Sequence, residues 1–366
     1  MKIRSILFST FCSLVLGMCF TACNDNDDDN NGWHTDPAYY PAYILNEGLW
    51  GANNANITSF LPNYKIENLS DVFLKINGIQ MGDVANAMIE KDNNIYVVLY
   101  GSKYVARLDL YVKEQARYTF TKDEGAPRCI DVEDDYAYVT QDGGQVTKLN
   151  IKNMTVAGTF KGGDNLEGIV EKNGKLYVAN SFKVDGSGNY VNGKEVFIID
   201  AKTMKLEKTI DVVENPTKIY EIDDRIYLIS QGNYYDVPGA LQIIDPESGT
   251  SKEILKDVIK ITEGNDGLIL GVRSTYDANW QLNNSFFVYN PKANEVSETS
   301  FLKNAPDSFS NEAIYLLEVD EENGFIYVGT SDYTTSGTIY QFDKNGKFLQ
   351  SFDSGGINPS TMIFID

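Results

Sequence analysis

The segment Ile95-Tyr96-Val97-Val98-Leu99 is a short apolar run rich in β-branched residues, with a tyrosine at its second position. That composition reads as a buried strand rather than a helix. Related segments recur along the chain: Ala42-Tyr43-Ile44-Leu45-Asn46, Ala137-Tyr138-Val139-Thr140-Gln141, Leu176-Tyr177-Val178-Ala179-Asn180, Ile226-Tyr227-Leu228-Ile229-Ser230, Leu268-Ile269-Leu270-Gly271-Val272 and Ile326-Tyr327-Val328-Gly329-Thr330. That makes seven copies, separated by 53, 42, 39, 50, 42 and 58 residues. The spacing is that of four-stranded propeller blades carrying loop insertions.

Working outward from each copy, a second apolar strand precedes it, as in Cys129-Ile130-Asp131-Val132, Lys218-Ile219-Tyr220-Glu221 and Ile259-Lys260-Ile261-Thr262. Polar pairs such as Asp92-Asn93 and Asp223-Asp224 join the two and read as hairpin turns. A third strand often ends in Asp or Asn, as in Val196-Phe197-Ile198-Ile199-Asp200, and a more polar fourth follows, as in Leu206-Glu207-Lys208-Thr209-Ile210. Polar outer strands suit an exposed sheet edge. The copy at Tyr43 has no inner strand before it, whereas Ser360-Thr361-Met362-Ile363-Phe364-Ile365 is an inner strand with nothing after it. The fold class expected is therefore all-β: a seven-bladed β-propeller closed by the C-terminal strand joining the first blade.

Composition narrows the chemistry. The chain carries 52 acidic and 31 basic residues, a formal net charge of −21, which repels phosphate backbones and argues against nucleic-acid binding. Its one histidine, His34, lies in a polar segment near the start, leaving no histidine for a triad or a zinc site in the body of the protein. Cysteines stand at 12, 19, 23 and 129, so Cys129 is the single core thiol and no internal disulfide is expected.

Residues 1–22 read as a secretory leader, with Lys2 and Arg4 ahead of an apolar run. Alternatives are a membrane-spanning helix, for which the run is short, and an ordinary cleaved signal. Phe20-Thr21-Ala22-Cys23 resembles the bacterial lipobox, and that resemblance implies lipidation at Cys23 and cleavage before it. Residues 23–40 begin with the acidic run Asn24-Asp25-Asn26-Asp27-Asp28-Asp29, read as a solvated tether; a calcium loop is the alternative, lacking the spaced ligands of an EF-hand. Acidic residues just after the cysteine also resemble the surface-export signal of Bacteroidetes lipoproteins. The propeller is expected over residues 41–366.

The repeats, with their Ile-Tyr-Val and Ile-Ile-Asp-Pro segments, resemble the YncE-like propellers. Leu45-Asn46-Glu47-Gly48, followed by Gly51-Ala52-Asn53-Asn54-Ala55 and Gly82-Asp83-Val84-Ala85-Asn86, is similar to propeller lipoproteins of gut Bacteroidetes, among them the surface cobalamin-binding proteins of BtuG type. The resemblance implies a non-enzymatic lipoprotein on the outer face of the outer membrane. It would bind cobalamin, as cargo and not as cofactor, and pass it to a TonB-dependent outer-membrane transporter. The Asn-Glu-Gly motif marks the broader family, whose members would share it whatever their ligand.

Binding residues are expected on one propeller face, where the loops after the tyrosine strands meet the segments before the inner strands. The first set supplies Trp50, Asn53, Tyr100 and Tyr104, then Gln141, Phe182 and Tyr190, then Tyr234, Tyr235, Tyr276, Trp280 and Tyr333. The second supplies Arg128, Asn165 and Glu167, beside Asp83, Asn86, Asn215, Asn311, Glu312 and Asn358. Aromatic rings with polar tips and paired amide groups suit a broad, largely uncharged, amide-rich ligand such as a corrinoid. Arg128 is the only obvious cation in the set, which speaks against a small anion. No metal set stands out. The alternatives are a glycan or protein partner on the same face, and a propeller hydrolase using Glu47, Glu167 or Glu312.

Overall fold

Each tyrosine-type segment forms the second strand of an antiparallel blade. These strands span Ala42–Asn46, Asn94–Leu99, Tyr136–Gln141, Lys175–Val184, Arg225–Ser230, Ile269–Tyr276 and Ile326–Ser331. They are apolar without alternation because both of their faces are covered by neighbouring blades, and nearly every residue of Ile95–Leu99 and Ile326–Ser331 is buried. The computed structural model describes residues 42–62, 69–306, 309 and 311–365. The leader, Cys23, the acidic tether and the start of the propeller at residue 41 lie outside the described residues.

The chain forms seven blades, six with four strands and the first with three among the described residues. The polar hairpins between inner and second strands are turns. Both Asp92 and Asn93, and both Asp223 and Asp224, take positive φ, the geometry a two-residue type I′ hairpin requires.

The inner strands span Ala85–Lys91, Pro127–Glu133, Asn165–Lys172, Pro216–Ile222, Val258–Glu263, Ala313–Val319 and Pro359–Phe364. Successive side chains on a strand point to opposite sides. Met88, Ile130, Ile169, Ile219, Ile261, Leu317 and Met362 fill the clefts between blades, each in a separate core cluster. The alternate positions, including Ile89, Cys129, Lys218, Tyr220, Lys260 and Glu318, are only half-buried. Ile89, Cys129 and Tyr220 pack against the core cluster on the other side of their blade, and the Tyr220 hydroxyl of blade 5 lies within electrostatic reach of Glu318 on blade 7.

The ring closes as the termini of the sequence imply. Ala42–Asn46 pairs with Asn56–Phe60 on one side and with Pro359–Phe364 on the other, in register Ala42↔Phe364 and Ile44↔Met362. The closing cluster mixes residues from the two ends of the chain: Ala42, Ile44 and Phe60 pack with Leu316, Tyr327, Ile339 and Met362. Fully buried Asn46 ties the seam, its side-chain amide donating to Asn56 Oδ1 at 2.8 Å and to the Ser354 carbonyl at 3.1 Å. Met362→Ala should lower the unfolding free energy by about 2–5 kcal/mol, and a chain ending at Ile357 should lose its single cooperative transition in a denaturant melt followed by circular dichroism.

Candidate functional site

All the loops that follow second strands leave the blades at one end of the ring, and all the segments leading into inner strands arrive there. Trp50, Tyr100, Tyr190, Tyr234, Tyr276, Trp280 and Tyr333 therefore share one face by topology. Trp50, Tyr190, Tyr234, Tyr235, Tyr276, Trp280 and Tyr333 are all exposed, Trp280 at 82% and Tyr235 at 94%. Asn53 is exposed as well, and Phe182 is half-buried.

Several of these residues are held in a costly backbone conformation. Tyr234, Trp280 and Tyr333 have φ of 59°, 60° and 63°, a region that bulky side chains seldom occupy. Each conformation is held by its own loop. Asn233 Oδ1 accepts from the backbone N–H groups of Tyr235, Asp236 and Val237 at 2.9–3.0 Å. Trp280 N–H reaches the Asp277 carbonyl at 3.0 Å, and Tyr333 N–H donates to Ser331 Oγ at 2.9 Å.

Two groups of contacts cross between blades. In the first, Trp50 lies 5.6 Å from Tyr100, and the Arg128 guanidinium sits 4.6 Å over the Tyr100 ring. Arg128 is ion-paired with Glu167 at 2.8 Å, and Asn165 donates to Glu167 at 2.9 Å and to Ser181 Oγ at 2.7 Å. The Trp50 loop is fastened to blade 2 by Asp83, whose carboxylate accepts from Gly51 N–H at 2.8 and 2.9 Å. In the second group, Tyr333 packs 5.9 Å from Tyr315, whose hydroxyl donates to Glu47. Tyr276 and Trp280 form a further pair at 6.3 Å.

Two expected binding residues are corrected. Tyr104 opens the third strand of blade 2 opposite Leu99, so its ring turns into the core and its hydroxyl donates to the Met81 carbonyl. Gln141 is fully buried at the end of its strand and donates to Thr147 Oγ1 at 2.6 Å. Asn358 is also buried, accepting from Ser331 Oγ at 2.6 Å, and Glu312 accepts from Tyr340 within blade 7 at 3.0 Å. In the Leu45-Asn46-Glu47-Gly48 motif, only Glu47 presents to the mouth. Gly48 has φ +77° and a backbone so close to Asn54 that a Cβ would lie 2.6 Å from its Oδ1.

The expectation of a single deep cation is corrected too. Lys218 and Lys260 stand on adjacent inner strands, and Lys260 Nζ lies 5.9 Å from the Tyr315 ring. Lys218 and Lys260 occupy equivalent places, each third in its strand, a regularity legible in the sequence although their proximity is not. Burial, then the like charge of Lys218, holds the Lys260 amine well below the ordinary lysine range. Burial raises the Glu47 carboxyl, opposed by the Tyr315 hydroxyl and by Arg128, Lys260 and Lys218. Glu318 is pushed up to about 7 by burial, against the pull of Lys260 and Lys218. Among the described residues, no group of three or more His, Cys, Asp or Glu side chains is placed to hold a metal ion.

No protein-family model matches the chain, and no curated protein matches it. Solved structures do. A putative 6-phosphogluconolactonase from Bacteroides uniformis is similar at 11% identity and TM-score 0.62, over 89% of this chain and 99% of that one. A streptogramin B lyase is similar at 14% identity and TM-score 0.53, over 73% and 82%. A catalytically inactive virginiamycin B lyase from Staphylococcus aureus, with quinupristin, matches at 14% identity and TM-score 0.53, over 74% and 83%. At these identities the likeness establishes the propeller fold.

Two outcomes follow. Tyr234→Gly and Trp280→Gly should each unfold at equal or higher denaturant than the parent, because glycine relieves the left-handed strain, worth about 1 kcal/mol; Tyr234→Ala should not gain. Glu318 binds its proton more tightly folded than unfolded, so stability should fall as pH rises from 4.5 to about 7. Glu318→Gln should flatten that slope in melts recorded across the window.

Proposed function

We propose that this chain is a non-enzymatic capture protein whose aromatic face takes a broad, flat, amide-rich ligand, cobalamin or another corrinoid first among them. The observation that carries the reading is the set of exposed aromatics gathered at one end of the ring, three of which, Tyr234, Trp280 and Tyr333, take backbone conformations that cost folding energy. Strain of this kind persists where the surrounding structure over-determines it, and it clusters at ligand-binding sites. Tyrosine and tryptophan offer wide, stiff contact with little entropy to lose. Asn53, Asn165 and the tyrosine hydroxyls supply the polar partners that amide arms need.

The sequence resemblance to surface cobalamin-binding lipoproteins supports the ligand class. It also supports the setting: a lipid at Cys23 in the outer membrane, the face turned outward, and delivery to a TonB-dependent transporter. A glycan is the other ligand class that stacks on such rings.

Calorimetric titration with cyanocobalamin checks the reading. Saturable one-to-one binding is expected, and Trp280→Ala and Trp50→Ala should each weaken it about tenfold or more, the loss of a well-packed aromatic contact. No heat with cyanocobalamin, alongside binding on a glycan array, would replace the corrinoid by a sugar.

A further inference from the structure

The axis of the ring carries a charge arrangement that the aromatic face does not use. Lys218 and Lys260 stand on adjacent inner strands at equivalent positions, the third residue of Pro216–Ile222 and the third of Val258–Glu263, and Lys260 Nζ lies 5.9 Å from the Tyr315 ring. Among the described residues, neither has a carboxylate within ion-pair distance. The acids around them are engaged elsewhere: Glu47 accepts from the Tyr315 hydroxyl, and Glu318 accepts from Thr262 Oγ1 at 3.4 Å. The other cation of the mouth, Arg128, is ion-paired to Glu167. Two amines side by side in a half-buried channel repel each other, and the repulsion is strong where water is scarce. It is also maintained against the grain of the sequence, since the chain is acidic overall.

We propose that Lys218 and Lys260 form an oxyanion site in the central channel, taking a phosphate or carboxylate group whose oxygens bridge the two amines, with the Tyr315 ring beside it. An anion placed there removes the like-charge contact and gives each ammonium a charge-assisted hydrogen bond. Glu47, Glu318 and Tyr220 also face this part of the channel. They set its selectivity: a monoanion or compact dianion fits, whereas a highly charged polyanion would be repelled by the two carboxyls. The site stands whatever the aromatic face binds. Where both are occupied by one molecule, its planar body would lie on the rings and an anionic arm would descend the axis.

The test is calorimetric titration of the full chain with inorganic phosphate and, in parallel, with succinate, in a buffer free of both. One-to-one binding of at least one is expected, and which one binds tells the two sources of the group apart. Lys218→Met and Lys260→Met should each weaken it about tenfold, the share of one charge-assisted hydrogen bond. Trp280→Ala should leave it unchanged. Since each methionine removes a like-charge contact, neither should lower the melting temperature; if one fails to fold, Lys260→Arg, which keeps the charge, must retain binding. No saturable heat with either anion, or unaltered binding in both methionine variants, overturns the proposal. Cyanocobalamin failing while an anion still binds would sink the capture reading alone.

Discussion

The pairing of Ala42–Asn46 with Pro359–Phe364 is the contact on which the remaining structure depends. A stack of blades has two unpaired ends, and each would expose apolar surface meant for a neighbour. Joining the last strand of the sequence to the first blade abolishes both ends at once. The join is long-range in sequence and dense in contacts, for Ala42 and Ile44 are fully buried against residues more than 270 positions away. Asn46 makes the seam specific, because its amide must find Asn56, Thr58 and Ser354 together.

Closure also decides what the inner strands do. In an open sheet their half-buried positions would meet water. In a ring they meet one another, and residues from distant blades become neighbours. Glu47 thus lies within the electrostatic reach of Arg128 on blade 3, Lys218 on blade 5 and Lys260 on blade 6. The rigid wall fixes these groups in place. The loops at the mouth supply the adaptable part, and their strained turns hold large rings away from the core.

The two halves of the candidate site have different chemistry for this reason. The rim is built from loops, and its residues are exposed aromatics stabilised by local backbone hydrogen bonds. The channel is built from strands, and its residues are titratable groups whose charges interact across the ring. A ligand that spans both would meet apolar surface first and charge last.

The repeat of apolar strands, the polar hairpins and the orphan C-terminal strand were enough, from sequence, to specify seven blades and the closure between Pro359–Phe364 and the first blade, because strand burial and turn chemistry are local properties. Topology then carried Trp50, Tyr100, Tyr234 and Trp280 to one end of the ring. Tertiary structure alone decided which polar and aromatic residues near that end face solvent. Tyr104 and Gln141 sit where strand pairing has already begun, and pairing turned them inward. It alone also brought Lys218, Lys260 and Glu318 together, since charges on three separate blades become one cluster only when a closed wall leaves them a single shared space.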